Sequence, residues 1–186
     1  MNKKLRWITE TAVMLALLIA LQQLTKPLGQ LVTGSCVNTI LAVAALVGGL
    51  YSGLTIAVIS PVLAYLLEIA PQALTVPAIM VGNAVYVVLL YLLADRSGKK
   101  LWKQPIAGIV ASFAKFGVLH LIVCEIFCGV MAEQLLASGT LKAPRLTTLP
   151  AMFSWPQLFT ALIGSTIALL IVPLLRKALH KNAAKS

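Results

Sequence analysis

Residues 105–127 read PIAGIVASFAKFGVLHLIVCEIF, an apolar run broken near its middle by the cation of Lys115. At about 1.5 Å of helix rise per residue, the run is long enough to cross a hydrocarbon core of roughly 30 Å. The lysine stem is too short to lift its ammonium to either interface from the centre of such a span. Charges inside a membrane mark functional sites by default, so Lys115 is the leading candidate for a ligand contact. The competing reading is a structural ion pair with Glu68, which lies at a similar predicted depth.

The rest of the chain agrees with a membrane environment. Of its 186 residues, 60% are hydrophobic and 11% charged, against roughly 45–50% and about 25% in soluble domains. The apolar runs predict an all-α integral membrane protein with six transmembrane helices, at 8–24, 36–51, 54–70, 78–94, 105–127 and 156–175. Gly48, Gly49 and Gly53 leave only a tight turn between the second and third spans, and a broken or re-entrant hairpin is the alternative there. Lys3, Lys4 and Arg6 precede the first span as in a signal peptide, but no small-residue cleavage site follows. The span is therefore expected to be retained.

Orientation follows from the basic residues. With the N-terminus inside, the inner side carries Lys3, Lys4, Arg6, Arg96, Lys99, Lys100, Lys103, Arg176, Lys177, Lys181 and Lys185. The outer side holds Lys26, Lys142 and Arg145. This asymmetry predicts that both termini are cytoplasmic. The net charge of +10 is then mostly this signature, helped by anionic inner-leaflet lipid, and calls for no nucleic-acid partner. Cys36, Cys124 and Cys128 form neither a C-x-x-C pair nor an even disulfide set, and read as apolar packing residues. The polar segments are short and no internal repeat is evident, so residues 1–186 are expected to form a single transmembrane domain. Three outer loops, from Thr25 to Ser35, Pro71 to Pro77 and Ser138 to Trp155, are made irregular by proline and glycine and are placed to cover a pocket.

Converting position to depth at about 1.5 Å per residue puts Lys115 near the midplane. His120, Glu68 and Asn83 come out roughly 6–7 Å further toward the outside, with Tyr86 slightly deeper than Asn83. Asn38, Glu125, Gln72, Trp155 and Gln157 lie nearer the outer surface. Polar side chains thus gather from the midplane outward, while the inner half is mostly Leu, Ile, Val and Ala. That pattern predicts a wet cavity open to the outside, with candidate substrate contacts Lys115, Asn83, Glu68, His120, Tyr86, Trp155, Gln157 and Asn38.

Each of these residues also has a plainer reading. His120 sits about 140° round an ideal helix from Lys115 and needs only a neighbouring backbone partner. Asn83, one residue past Gly82, suits a bridge between helices. Trp155, just before Pro156, suits an interfacial anchor.

Ala12, Ala16 and Ala20 recur at every fourth residue and form a small-residue stripe on one face of the first span, suited to close approach of another helix. No G-x-x-x-x-G-K-[ST] phosphate loop occurs, and no H-E-x-x-H or G-x-S-x-G. His, Cys and carboxylates do not cluster at metal-ligand spacing. Neither an ATPase nor an enzyme is indicated.

Four features together resemble the substrate-binding S components of energy-coupling factor (ECF) transporters, the vitamin-uptake systems of prokaryotes, over nearly the whole chain. They are the Ala12, Ala16, Ala20 stripe; the passage from Ala44 through Gly48, Gly49, Tyr51 and Gly53 to Pro61; the run from Pro77 through Gly82, Asn83 and Tyr86 to Leu93; and Lys115 within the fifth span. The resemblance implies a subunit of a prokaryotic cell membrane that captures a small molecule from outside. It would dock through its alanine stripe on a transmembrane coupling subunit, driven by two cytoplasmic ATPases, and topple in the bilayer to release its cargo. ATP would be used by those partners, with no cofactor in this chain. Relatives often place a carboxylate near Asn83, so ligand chemistry does not carry over. The alternatives are a self-sufficient small secondary transporter and a small membrane enzyme or structural membrane protein.

Overall fold

The computed structural model describes residues 2–69, 72–95 and 102–183. Pro71, Arg96, Lys99, Lys100 and Lys185 lie outside the described residues. Among those described there are helices and turns but no strand. Helix α1 spans Lys3–Thr25, α2 Gln30–Val43, α3 Leu50–Leu66, α4 Thr75–Leu93 and α5 Lys103–Leu119. Two short helices, α6 (Ala132–Ala137) and α7 (Arg145–Phe153), precede the last, α8 (Trp155–Ala183). Among the described residues, five helical stretches are long and apolar enough to cross a membrane: Lys4–Leu28, Gln30–Gly48, Thr75–Leu93, Lys103–Val130 and Arg145–Ala178. Helix α3 is apolar but shorter, at 17 residues.

Several boundaries differ from those expected, each for a local reason. The second span starts at Gln30 instead of 36, because Pro27 opens a single 3-10 turn at Lys26–Leu28 and Gly29, at φ +86°, restarts the chain at once as α2. Only a residue without a Cβ takes that φ at no steric cost. Gly49, at φ +90°, makes the same break between α2 and α3. Helix α3 therefore begins at Leu50, four residues earlier than expected. The fifth span outlasts 127, continuing from α5 as a π-helix over His120–Val130. The stretch from Ser138 to Trp155 is not wholly irregular, since it holds α7, with Pro150 inside it.

Helices α2 and α8 make the most extensive contact in the bundle, followed by α4 with α5, α3 with α4 and α5 with α8. Glycine lets backbones approach where lipid removes the hydrophobic drive. A Cβ on Gly164 of α8 would lie 2.5 Å from Asn38 Cβ and 2.8 Å from Thr39 N on α2, and one on Gly82 of α4 would lie 2.8 Å from Leu119 Cγ on α5.

Side-chain bridges identify two ends of the bundle. At one end, Lys26 Nζ reaches Glu68 O at 2.8 Å, Gln72 Nε2 reaches Thr140 O at 2.9 Å and Gln30 Nε2 reaches Met152 O at 2.6 Å. At the other, an Arg176 guanidinium nitrogen donates to Leu46 O at 2.8 Å. This carbonyl belongs to the π-helical end of α2, Ala44–Gly48, where main-chain acceptors lack regular helix partners. The start of α1 and the end of α8 lie at this second end.

The main apolar core, including Leu18, Leu41, Ala45, Ile56, Val87, Ala111, Ala168 and Val172, fills the bundle toward the second end. A smaller cluster of Ala78, Leu119, Val123, Leu135, Leu141, Leu149 and Phe153 sits under α6 and α7. A cavity with a polar floor and rim lies at the first end.

Candidate functional site

The cavity has a volume of about 280 Å³ and is lined from α1, α2, α3, α4, α5 and the region of α7 and α8. Its floor is set by Lys115 of α5, Asn38 of α2 and Asn83 of α4, which are 3%, 1% and 1% exposed. The ammonium donates to Asn38 Oδ1 at 2.6 Å and to Asn83 Oδ1 at 2.7 Å. It also stands 5.5 Å from the ring centroid of Tyr86, within cation–π range. Tyr86 is fully buried, its hydroxyl 2.7 Å from Ser165 Oγ, and Ser112 Oγ lies 3.4 Å from the same serine. The lysine is thus solvated by two amide oxygens and a π face, and among the described residues it makes no ion pair.

The walls are mainly apolar: Pro61 and Ala64 from α3, Ile79 from α4, Val37 from α2 and Phe153 from the end of α7. Pro61 lies inside α3, where its missing N–H leaves a helix carbonyl without its usual donor. The rim is polar, with Gln22, Lys26, Thr33, Gln30 and Gln157, and reaches the surface at exposed Lys26 and Gly29. Gln30 Nε2 and Gln157 Nε2, the latter at 3.2 Å, converge on Met152 O, an acceptor in the last turn of α7. Gln22 Oε1 is buried without a hydrogen-bond partner among the described residues.

Of the residues singled out in the sequence, Lys115, Asn83, Asn38 and Gln157 line the cavity together. Tyr86 lies behind the floor, touching the ammonium through its ring. Glu68, His120 and Trp155 are not among the lining residues.

Glu68 is exposed, in a left-handed turn at φ +56° just beyond α3, and its backbone oxygen accepts from Lys26. The expected depth match with Lys115 is lost because α3 begins at Leu50. Counted from there, Glu68 sits about 27 Å along the helix direction, close to the far end of a 30 Å core.

His120 opens the π-helix. Its Nε2 lies 3.3 Å from Glu125 Oε1, a pairing that i→i+5 winding brings to one face. Its ring is 5.7 Å from Phe116, which stacks at 5.5 Å on Trp155, itself 62% exposed. These side chains form an aromatic cluster.

Ala12, Ala16 and Ala20 are all exposed along α1, and that helix is the least buried of the candidate spans. The three cysteines are free, and among the described residues no group of three or more His, Cys, Asp or Glu gathers to hold a metal ion.

Sequence reasoning missed Gln22, Gln30 and Ser60 as lining residues and counted Lys26 only as an outer charge. The usable signal was the Pro27–Gly29 turn: a one-turn connection carries the polar residues on both sides of it to the same end of the bundle.

The family described as ECF transporter, substrate-specific component matches residues 6–176 of the chain. No curated protein and no solved structure matches it.

Proposed function

The chain belongs to the substrate-specific components of ECF transporters, and on that premise we propose that it captures a water-soluble vitamin or related small metabolite from outside the cell. It delivers this cargo through a transmembrane coupling subunit driven by two cytoplasmic ATPases, which use the ATP. The observation that best supports a binding role is the cavity, whose floor of Lys115, Asn38 and Asn83 is polar in an otherwise apolar bundle. Polar groups converging in a largely apolar pocket are the usual form of a small-molecule site.

Helix α3 serves as a sixth span in this reading. The excess of basic residues near the chain termini puts both termini in the cytoplasm and turns the mouth of the cavity outward. The exposed stripe of Ala12, Ala16 and Ala20 is the surface offered to the coupling subunit, since small side chains permit close helix contact.

The test is uptake by cells expressing this chain with and without a coupling subunit and its ATPases, paired with mass spectrometry of small molecules released from the purified chain. Cargo bound by the chain alone, with uptake only when the partners are present, is the expected result. Uptake by the chain alone would overturn it in favour of a self-sufficient carrier.

A further inference from the structure

We propose that the cargo carries a carboxylate, and that this group seats at the cavity floor on the Lys115 ammonium and the Asn83 amide nitrogen. The inference rests on the substrate-binding reading above and adds the chemical class of the ligand.

Charge is the first ground. The chain has five acidic residues, and none lines the cavity. Glu10 pairs with Arg6 at 2.7 Å, Glu125 faces His120 at 3.3 Å, and Glu68 and Glu133 are exposed. Asp95 follows α4 at the opposite end, where its backbone oxygen accepts from Gln104. The partners that Lys115 does have, two amide oxygens and the face of Tyr86, stabilise a cation without neutralising it. The floor therefore keeps an uncompensated positive charge where desolvation makes a counter-ion most valuable.

Hydrogen-bond accounting is the second ground. An ammonium has three N–H groups and no acceptor. Two are used, and the third has no acceptor among the described residues. Because lysine only donates, both asparagines must turn their oxygens toward it, which fixes their NH2 groups on the other side. The Asn38 nitrogen donates to Thr160 Oγ1 at 3.3 Å, whereas the Asn83 nitrogen, on a side chain 1% exposed, has no partner among the described residues. What the floor offers is donors with one net positive charge, and it asks for an acceptor with one negative charge.

A carboxylate meets that demand. A phosphate ester carries nearly two charges at neutral pH, whereas the one other cation among the described lining residues, Lys26, stands at the exposed rim with its ammonium on Glu68 O, away from the floor. The unpartnered Gln22 oxygen near the rim calls for a donor at the ligand's other end.

The experiment uses the full chain in lipid nanodiscs. Calorimetry or thermal shift would compare matched probes: nicotinate with nicotinamide, biotin with biotinamide, and pyridoxal phosphate with pyridoxal. Mass spectrometry would identify any small molecule released on denaturation. The expected result is a carboxylic acid as released cargo or best probe, with its amide about tenfold to a hundredfold weaker. Lys115→Met should weaken the acid by a similar factor and abolish the preference over the amide, while the variant elutes as a monodisperse species.

Should Lys115→Met not fold, Asn83→Asp keeps the ammonium satisfied while supplying the chain's own carboxylate to the floor. Loss of acid binding in that variant supports the proposal, and wild-type affinity overturns it. A neutral or cationic released cargo, or a phosphorylated probe that alone binds, overturns the carboxylate while leaving the substrate-binding reading intact. Absence of any released molecule and of any probe binding overturns both.

Discussion

The Lys115 ammonium donates to Asn38 Oδ1 at 2.6 Å across 77 residues of sequence, tying α5 to α2 at the level where the cavity ends. With Asn83 on α4, this makes a single cation the junction of three helices. Hydrogen bonds to a charged group are worth about 1.5–3 kcal/mol, and removing a buried partner leaves the desolvated group behind. Asn38→Leu, similar in size and unable to accept, is therefore expected to lower unfolding stability by about 1.5–3 kcal/mol. Thermal unfolding in detergent measures it, and a variant as stable as the parent would mean that the Lys115–Asn38 contact holds nothing.

Gly164 tests the same junction through the backbone. Because a Cβ there would sit 2.5 Å from Asn38 Cβ and 2.8 Å from a main-chain nitrogen, Gly164→Val has to push α8 from α2. Overpacking of this kind costs about 1–3 kcal/mol, and it also displaces a floor residue, so stability and ligand affinity should fall together. Gly117, in α5 with no atom within 4 Å of a built Cβ, is the matched control. Gly117→Ala should leave affinity unchanged and raise helix stability by about 0.5–1 kcal/mol.

How far these contacts were legible in the sequence depended on what set them. Lys115 and Asn83 could be placed within about 7 Å of one another in depth, because a charge or amide inside an apolar run stands out and helix rise converts its number into a depth, whereas Asn38 comes out nearer the outer surface when the second span is started at 36, six residues after α2 begins at Gln30. Glu68 was misplaced by the same arithmetic because the third span was started at 54, whereas Gly49 lets α3 begin at Leu50. A shift of four residues moves a side chain about 6 Å, which, added to the roughly 6 Å that already separates Glu68 from Lys115 in depth, carries the carboxylate to the rim. The His120–Glu125 pairing was hidden for a different reason: it depends on π winding from His120 to Val130, which hydrophobic periodicity does not signal. Helix α7 is hidden in the sequence because Pro144 and Pro150 look like breakers, yet Pro144 stands at its N-cap and Pro150 lies within its nine residues.

Lys26 tests the rim. It is exposed, holding the Glu68 backbone oxygen at 2.8 Å across the cavity mouth, so Lys26→Met should change stability by less than about 1 kcal/mol. A second cation on the path to Lys115 should instead act on approach. For an acidic ligand, the association rate constant is expected to fall several-fold at low ionic strength and to lose much of its salt dependence, with dissociation little changed. Stopped-flow binding at two salt concentrations checks this, and an unaltered rate would remove Lys26 from the entry route.

Ala16→Leu tests whether capture and delivery use separate surfaces. Its side chain is exposed on α1 between Ala12 and Ala20, and it is not among the residues that line the cavity. Ala16→Leu should therefore leave ligand affinity and thermal stability within error of the parent. A leucine in the stripe would hold another helix away by roughly the size of its added side chain, and close contact between membrane helices depends on small residues at the interface. In cells that also express a coupling subunit and its ATPases, uptake is expected to fall at least tenfold, the equivalent of about 1.4 kcal/mol in the docking equilibrium. Unchanged uptake would mean that this face meets lipid and that docking uses another surface, whereas a matching loss of affinity would mean that the substitution disturbs the bundle.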